Sequence, residues 1–200
     1  MTKIFPKLRS LRIIVVRFKK MSRVLIIGAG AAGSVTVKKC LAEKNIFSDI
    51  HVASRTMRKC EELKKSCKDN INIHLLDADI IKDTIDLINQ IKPEIVINMA
   101  LPYQDIPIME ACLATKTHYL DTANYEPKDK AEFCYKWQWD YHQKFKDQKI
   151  MALLGSGFDP GVTNVFIKYA SENLFDELIS IDIIDCNAGD HGHPFATNFN

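Results

Sequence analysis

The residues most suited to chemistry begin with Gly28-Ala-Gly-Ala-Ala-Gly33. Three glycines at this spacing serve a diphosphate. Gly28 permits a tight turn, Gly30 leaves no side chain where a pyrophosphate meets the backbone, and Gly33 lets a helix lie close on a strand. A helix opening at Ala31 and Ala32 turns free N–H groups and the positive end of its dipole toward the anion. The motif alone is weak. Its weight here comes from context: an apolar run before it, a helical stretch after it and a second strand about 20 residues on.

The end of that second strand, Val52-Ala-Ser-Arg-Thr56, carries no acid. NAD binders place Asp or Glu here for the ribose 2′-hydroxyl, whereas an Arg accommodates a 2′-phosphate. Ser54 and Thr56 can donate hydrogen bonds, Arg55 can pair with the phosphate, and Arg58 lies within reach to assist. The expected cofactor is therefore NADP(H). Asp77 is placed to reach the adenine edge, with Asp79 as a candidate cap for the next helix. The backbone from Asn98 to Ala100 is a candidate wall for the nicotinamide ribose, and Asp121-Thr-Ala-Asn124 occupies the same sheet edge. His191 and His193 flank Gly192 in a polar loop, where His191 is an acid–base or substrate-contact candidate. Each polar residue in these loops could equally cap a helix or fill a turn.

Six short apolar runs position these residues: 23–27, 49–53, 72–76, 94–98, 118–120 and 149–154. Helical patterns separate them at 31–44, 56–67, 80–91, 104–115 and 129–146. Such alternation predicts an α/β fold, a doubly wound parallel sheet of the Rossmann type with strand order 3-2-1-4-5-6. Phe133, Trp137, Tyr141 and Phe145 recur every fourth residue, which predicts a packing face on one long helix rather than a cofactor box. Beyond the sixth strand, Gly155-Ser-Gly-Phe-Asp-Pro-Gly161 reads as a loop, 162–173 as a helix and 178–185 as a new strand. We therefore expect a basic, disordered extension over 1–20, a dinucleotide-binding domain over 21–155, and a junction with the start of a truncated second α/β domain over 156–200.

Composition narrows the function classes. Residues 1–20 hold seven Lys or Arg and no acid, leaving 20 basic against 25 acidic residues, a net −5, in the body. Such a body gives no reason to expect nucleic acid as a partner. Ile13–Val16 is far too short an apolar run for a membrane span. The extension reads as an upstream start or a loose tail, with a targeting peptide or membrane-surface arm as the alternative. Six cysteines without a C-x-x-C pair predict reduced thiols in a cytoplasmic protein and no metal site.

The GAGAAG turn, Ala53-Ser-Arg-Thr56 and Asp121-Thr-Ala-Asn-Tyr-Glu126 together resemble the saccharopine dehydrogenase family. Tyr135-Lys-Trp-Gln-Trp139, Gly155–Asn164 and Asp185–Phe199 are similar to its carboxynorspermidine synthase branch. The resemblance covers Met21 to Asn200 and implies a reaction. L-aspartate β-semialdehyde condenses with a diamine, 1,3-diaminopropane or putrescine, and the imine is reduced with NADPH during polyamine synthesis. It also implies a chain about twice as long and a homodimer built on a second domain. Asn124, Asp159, Asn164 and Asn187 then become substrate-binding candidates, and Asp190 and His191 catalytic ones: an acid for the cationic diamine, a histidine for the imine-forming proton. Another imine reductase of the family, or a non-catalytic NADP(H)-binding fragment, are the alternatives.

Overall fold

The computed structural model describes residues 22–184, except 69, 130, 131 and 133. The readings made for residues 1–20, Asn187, Asp190 and His191 lie outside the described residues. Six parallel strands form one sheet: β1 (Ser22–Ile27), β2 (Phe47–Ser54), β3 (Asn72–Leu75), β4 (Ile95–Asn98), β5 (His118–Asp121) and β6 (Ala152–Leu153). Their order is β3-β2-β1-β4-β5-β6, as expected.

The central strand explains the two-sided burial. Side chains alternate along β1, so Val24 and Ile26 enter one apolar layer and Leu25 and Ile27 the other. The first layer lies under α1 (Ala31–Ala42) and α2 (Met57–Ser66), which contribute Val37, Cys40, Cys60 and Leu63. The second lies under α3 (Ile81–Ile91) and α4 (Asp105–Thr115), which contribute Ile88, Ile108 and Cys112. Four of the five described cysteines are buried free thiols that pack as small hydrophobes. Burial pushes the Cys40 thiol up to about 11, which keeps it protonated and unreactive. No helix among the described residues is long and apolar enough to cross a membrane.

Three expected elements differ. The long helix over 129–146 is instead two short ones, α5 (Lys136–Trp139) and α6 (His142–Asp147). Tertiary bonds override the helical pattern. Gln138, not an aromatic, is the fully buried residue of α5, and its Oε1 accepts from Tyr125 N–H at 2.9 Å. Three of the four aromatics still pack, Phe133 lying outside the described residues: Phe145 enters the core, Tyr141 donates to Glu110 at 2.6 Å, and Trp137 meets Tyr125 edge-on. The sixth strand is only two residues long because the ladder reaches β5 only at Tyr119 and Leu120. Residues 178–184 form no strand, since among the described residues none pairs with them, and Ile179 and Ile184 are almost fully exposed. The intervening α7 (Val162–Asn173) matches its expected bounds.

Candidate functional site

The site grows from the turn between β1 and α1. Gly28 has φ +113°, a conformation that side chains disfavour, and its N–H donates to Ala53 C=O at 2.8 Å. A Cβ on Gly33 would stand 2.0 Å from the Gly28 carbonyl oxygen, so only glycine allows α1 to start this close to the strand. Gly30 caps α1 without a side chain, and no acid lies in the first turn. Free amides and the positive end of the helix dipole therefore meet the crevice that Gly30 and Ala32 line.

That crevice, about 250 Å³, opens at the carboxyl ends of β1, β2, β3 and β4. Gly28, Gly30, Ala32, Ser54, Arg55, Thr56 and Ala100 are brought together around it. Ala31 lines an adjoining groove instead, and Gly33 serves helix–strand contact rather than the wall. Asp77 does not line the crevice. Its Oδ1 accepts from Asp79 N–H at 3.1 Å, while its neighbours Leu76 and Ala78 supply an apolar wall. Asn98 is buried behind the wall, and its Oδ1 accepts from Ala100 N–H at 2.9 Å, shaping the strip that follows β4. The crevice fits a dinucleotide on these features: a glycine turn, free helix amides, and no acid at the end of β2.

Two residues at this end were not singled out by sequence. Lys59 lines the crevice, whereas Arg58, the expected assistant, is turned away and paired with Glu62 at 2.6 Å. Lys128, far along the chain, reaches Asp79 at 2.6 Å and lies over the Tyr103 ring at 4.4 Å. Arg55 donates to the Tyr103 hydroxyl at 3.2 Å. Asp79 does not cap α3, whose N-cap is Ile80. It is opposed by burial, yet the bonds from Lys128 and Gln104 hold its carboxyl below the usual range.

Behind the strip lies a buried polar network. Asn98 Nδ2 donates to Asp105 Oδ1 at 2.7 Å and to Tyr119 Oη at 3.3 Å. Asp121 Oδ1 accepts from Gly155 N–H at 2.6 Å, and its Oδ2 from Gln138 Nε2 at 2.7 Å. Asp105 Oδ2 is buried without a hydrogen-bond partner. Burial, then the Asp121 charge, pushes the Asp105 carboxyl well above the usual range. Burial likewise pushes Asp121 up to about 6, against the hydrogen bonds from Gly155 and Gln138 and the nearby Tyr119 hydroxyl. Burial of two carboxyls in one dry interior opposes the ionisation of both, and the charge of one further opposes that of the other. This network fixes both the Met99–Leu101 strip and the Gly155 loop. Sequence alone offered only the polar types, since α4 and β5 meet through the fold.

A second, more apolar cavity of about 650 Å³ lies beside the Gly155 loop, bounded by Tyr135, Trp139, Pro160 and Val165. Of the described substrate candidates, only Asn164 lines it, and Asn164 Oδ1 also accepts from Gly161 N–H at 2.9 Å. Asp159 Oδ1 accepts from the Thr163 hydroxyl at 3.1 Å, which holds it in the local turn. Asn124 Nδ2 donates to Tyr125 C=O at 3.3 Å. Neither lines the cavity. Among the described residues no group of three His, Cys, Asp or Glu is placed to hold a metal ion.

Comparison with known proteins follows the same lines. The family profile described as the saccharopine dehydrogenase NADP binding domain matches residues 24–153. Carboxyaminopropylagmatine dehydrogenase of Synechocystis sp. is 52% identical over 181 residues, covering 90% of this chain and 45% of that protein. Carboxynorspermidine synthase of Vibrio alginolyticus is 41% identical over 189 residues, covering 88% of this chain and 46% of that protein. The chain thus spans about half the length of the curated relatives it matches. The solved structure of saccharopine dehydrogenase (L-Glu forming) from Saccharomyces cerevisiae shares the fold, with a TM-score of 0.62 and 18% identity over 76% of this chain and 31% of that one.

Proposed function

Because the chain belongs to the saccharopine dehydrogenase family, we propose that it binds NADP(H) and serves the reduction of an imine formed from L-aspartate β-semialdehyde and a diamine. The observation that carries the cofactor half is the crevice itself: a glycine turn facing a β2 end with Arg55 and no acid. The diamine would be 1,3-diaminopropane or putrescine, which makes the product carboxynorspermidine or carboxyspermidine. A second reading, in which the amine is agmatine, draws on the name of the relative that is 52% identical. Product analysis with each amine in turn, using the whole protein, separates the two. In the same proposal the protein is cytoplasmic and a homodimer.

Bound NADPH supplies the hydride. The chain's own part is to hold and exclude. The amides at the start of α1 would hold the pyrophosphate, and Arg55 with Ser54 and Thr56 the 2′-phosphate. The strip from Met99 to Leu101, anchored through Asn98, would keep the reacting face in place. We assign substrate contact to Asn124, Asp159, Asn164 and Asn187, an amine-binding carboxylate to Asp190 and proton transfer to His191. Asp190→Asn and His191→Ala in the whole protein should each lower kcat/KM, and wild-type rates in either variant would remove that residue from the site.

NADPH and NADH titrated calorimetrically against the chain test the cofactor reading. NADPH should bind at least about tenfold tighter, a difference of about 1.4 kcal/mol. Arg55→Ala should erase that preference. Equal binding of the two by the unaltered chain would overturn the NADP(H) reading.

A further inference from the structure

Three basic residues follow β2 in close succession, Arg55, Arg58 and Lys59, and the fold sends them in different directions. With 3.6 residues to a turn, Arg58 and Lys59 on α2 point about 100° apart. Arg58 lies on the solvent side with its side chain 74% exposed, and its charge is matched by Glu62 at 2.6 Å. Lys59 lines the crevice next to Ser54, Arg55 and Thr56. It also lines the adjoining groove beside Ala29, Gly30 and Ser34. Among the described residues no carboxylate lies within ion-pair distance of Lys59.

The surroundings fit a dianion better than a hydroxyl. Thr56 is the N-cap of α2 and makes no side-chain cap bond, and the first turn holds no acid. The positive end of that helix, Arg55 and Lys59 thus converge on one end of the crevice. A phosphate monoester carries about −1.5 to −2 charges at pH 7 and three acceptor oxygens, enough to engage two cations and a helix end together. The pyrophosphate has its own cradle in the α1 amides.

We propose that Lys59 is a specificity-determining residue for the 2′-phosphate of the nucleotide, acting with Arg55, and that Arg58 has no part in it. The inference rests on the NADP(H) reading above and goes one residue further. Its test compares the unaltered chain with Lys59→Gln and Arg58→Gln, using NADPH, NADH, 2′,5′-ADP and 5′-AMP as calorimetric probes, with thermal melts to establish that the variants fold. Both substitutions are on exposed positions of α2, so their melts should match the parent. Lys59→Gln should weaken NADPH and 2′,5′-ADP about tenfold while NADH and 5′-AMP change less than twofold. Arg58→Gln should change none of the four.

Loss of NADPH and NADH affinity by the same factor in Lys59→Gln would make Lys59 a pyrophosphate contact and overturn the proposal. So would unchanged binding in Lys59→Gln, or a loss confined to Arg58→Gln. If the unaltered chain prefers NADPH but Lys59→Gln keeps the full preference, this inference alone fails. If the unaltered chain binds both dinucleotides equally, the NADP(H) reading fails and Lys59 with it.

Discussion

Gly33→Ala should lower the melting temperature by roughly 10 °C and remove measurable NADPH binding. The added Cβ would stand 2.0 Å from the Gly28 carbonyl oxygen and 2.9 Å from its carbon, both backbone atoms with nowhere to go. Overpacking of flexible side chains costs about 1–3 kcal/mol, and a backbone that must shift falls at or above the upper end. The relief is for α1 to lift from β1, which carries its amides away from the crevice. Gly30→Ala is the informative partner. Gly30 is extended at φ −77°, a conformation alanine adopts freely, so its melt should stay near that of the parent while binding falls, because the methyl group projects where the pyrophosphate must pass. Paired melts and titrations of the two variants check both statements. A parental melt for Gly33→Ala would mean that α1 is not held this closely.

Asp105→Asn should stabilise the protein at pH 8, with the gain vanishing toward pH 4. Asp105 and Asp121 are both raised by burial, Asp121 to about 6. A carboxyl raised in the folded state gives its full contribution below its unfolded value near 4. That contribution is lost as pH rises through the folded value. Stability in the parent should therefore decline as pH rises from about 4, with Asp121 losing its proton near 6 and Asp105, held further above the usual range, losing its proton at higher pH. Asparagine keeps an oxygen to accept from Asn98 Nδ2 and removes one of the two ionisable groups, so the decline should flatten. Asp105→Ala, by contrast, leaves Asn98 Nδ2 short of a buried acceptor and should destabilise at every pH. Denaturant titrations of the three proteins across pH 4–8 separate these outcomes. Identical pH profiles for the parent and Asp105→Asn would show that Asp105 carries no unfavourable buried charge.

Sequence by itself determined the parts of this protein that depend on neighbours along the chain. The glycine turn, the short apolar runs and the acid-free end of β2 are local features, and local sterics and side-chain periodicity dictate what they form. From them came the sheet order and the crevice residues Gly28, Gly30, Ala32, Ser54, Arg55, Thr56 and Ala100, which the fold gathers at one sheet edge. Tertiary structure decided what depends on residues distant in sequence. The split of the expected long helix into α5 and α6 follows from Gln138 bonding Asp121 and Tyr125, contacts that no periodicity announces. Asp105 and Asp121 lie 16 positions apart and acquire their shared electrostatics only because α4 packs against β5 in a dry interior. Arg58 and Lys59 are adjacent and similar in type, yet one step of the helix sends the first to Glu62 and the second to the crevice. A sequence records which charges are present, but the direction each one points is a property of the packed helix.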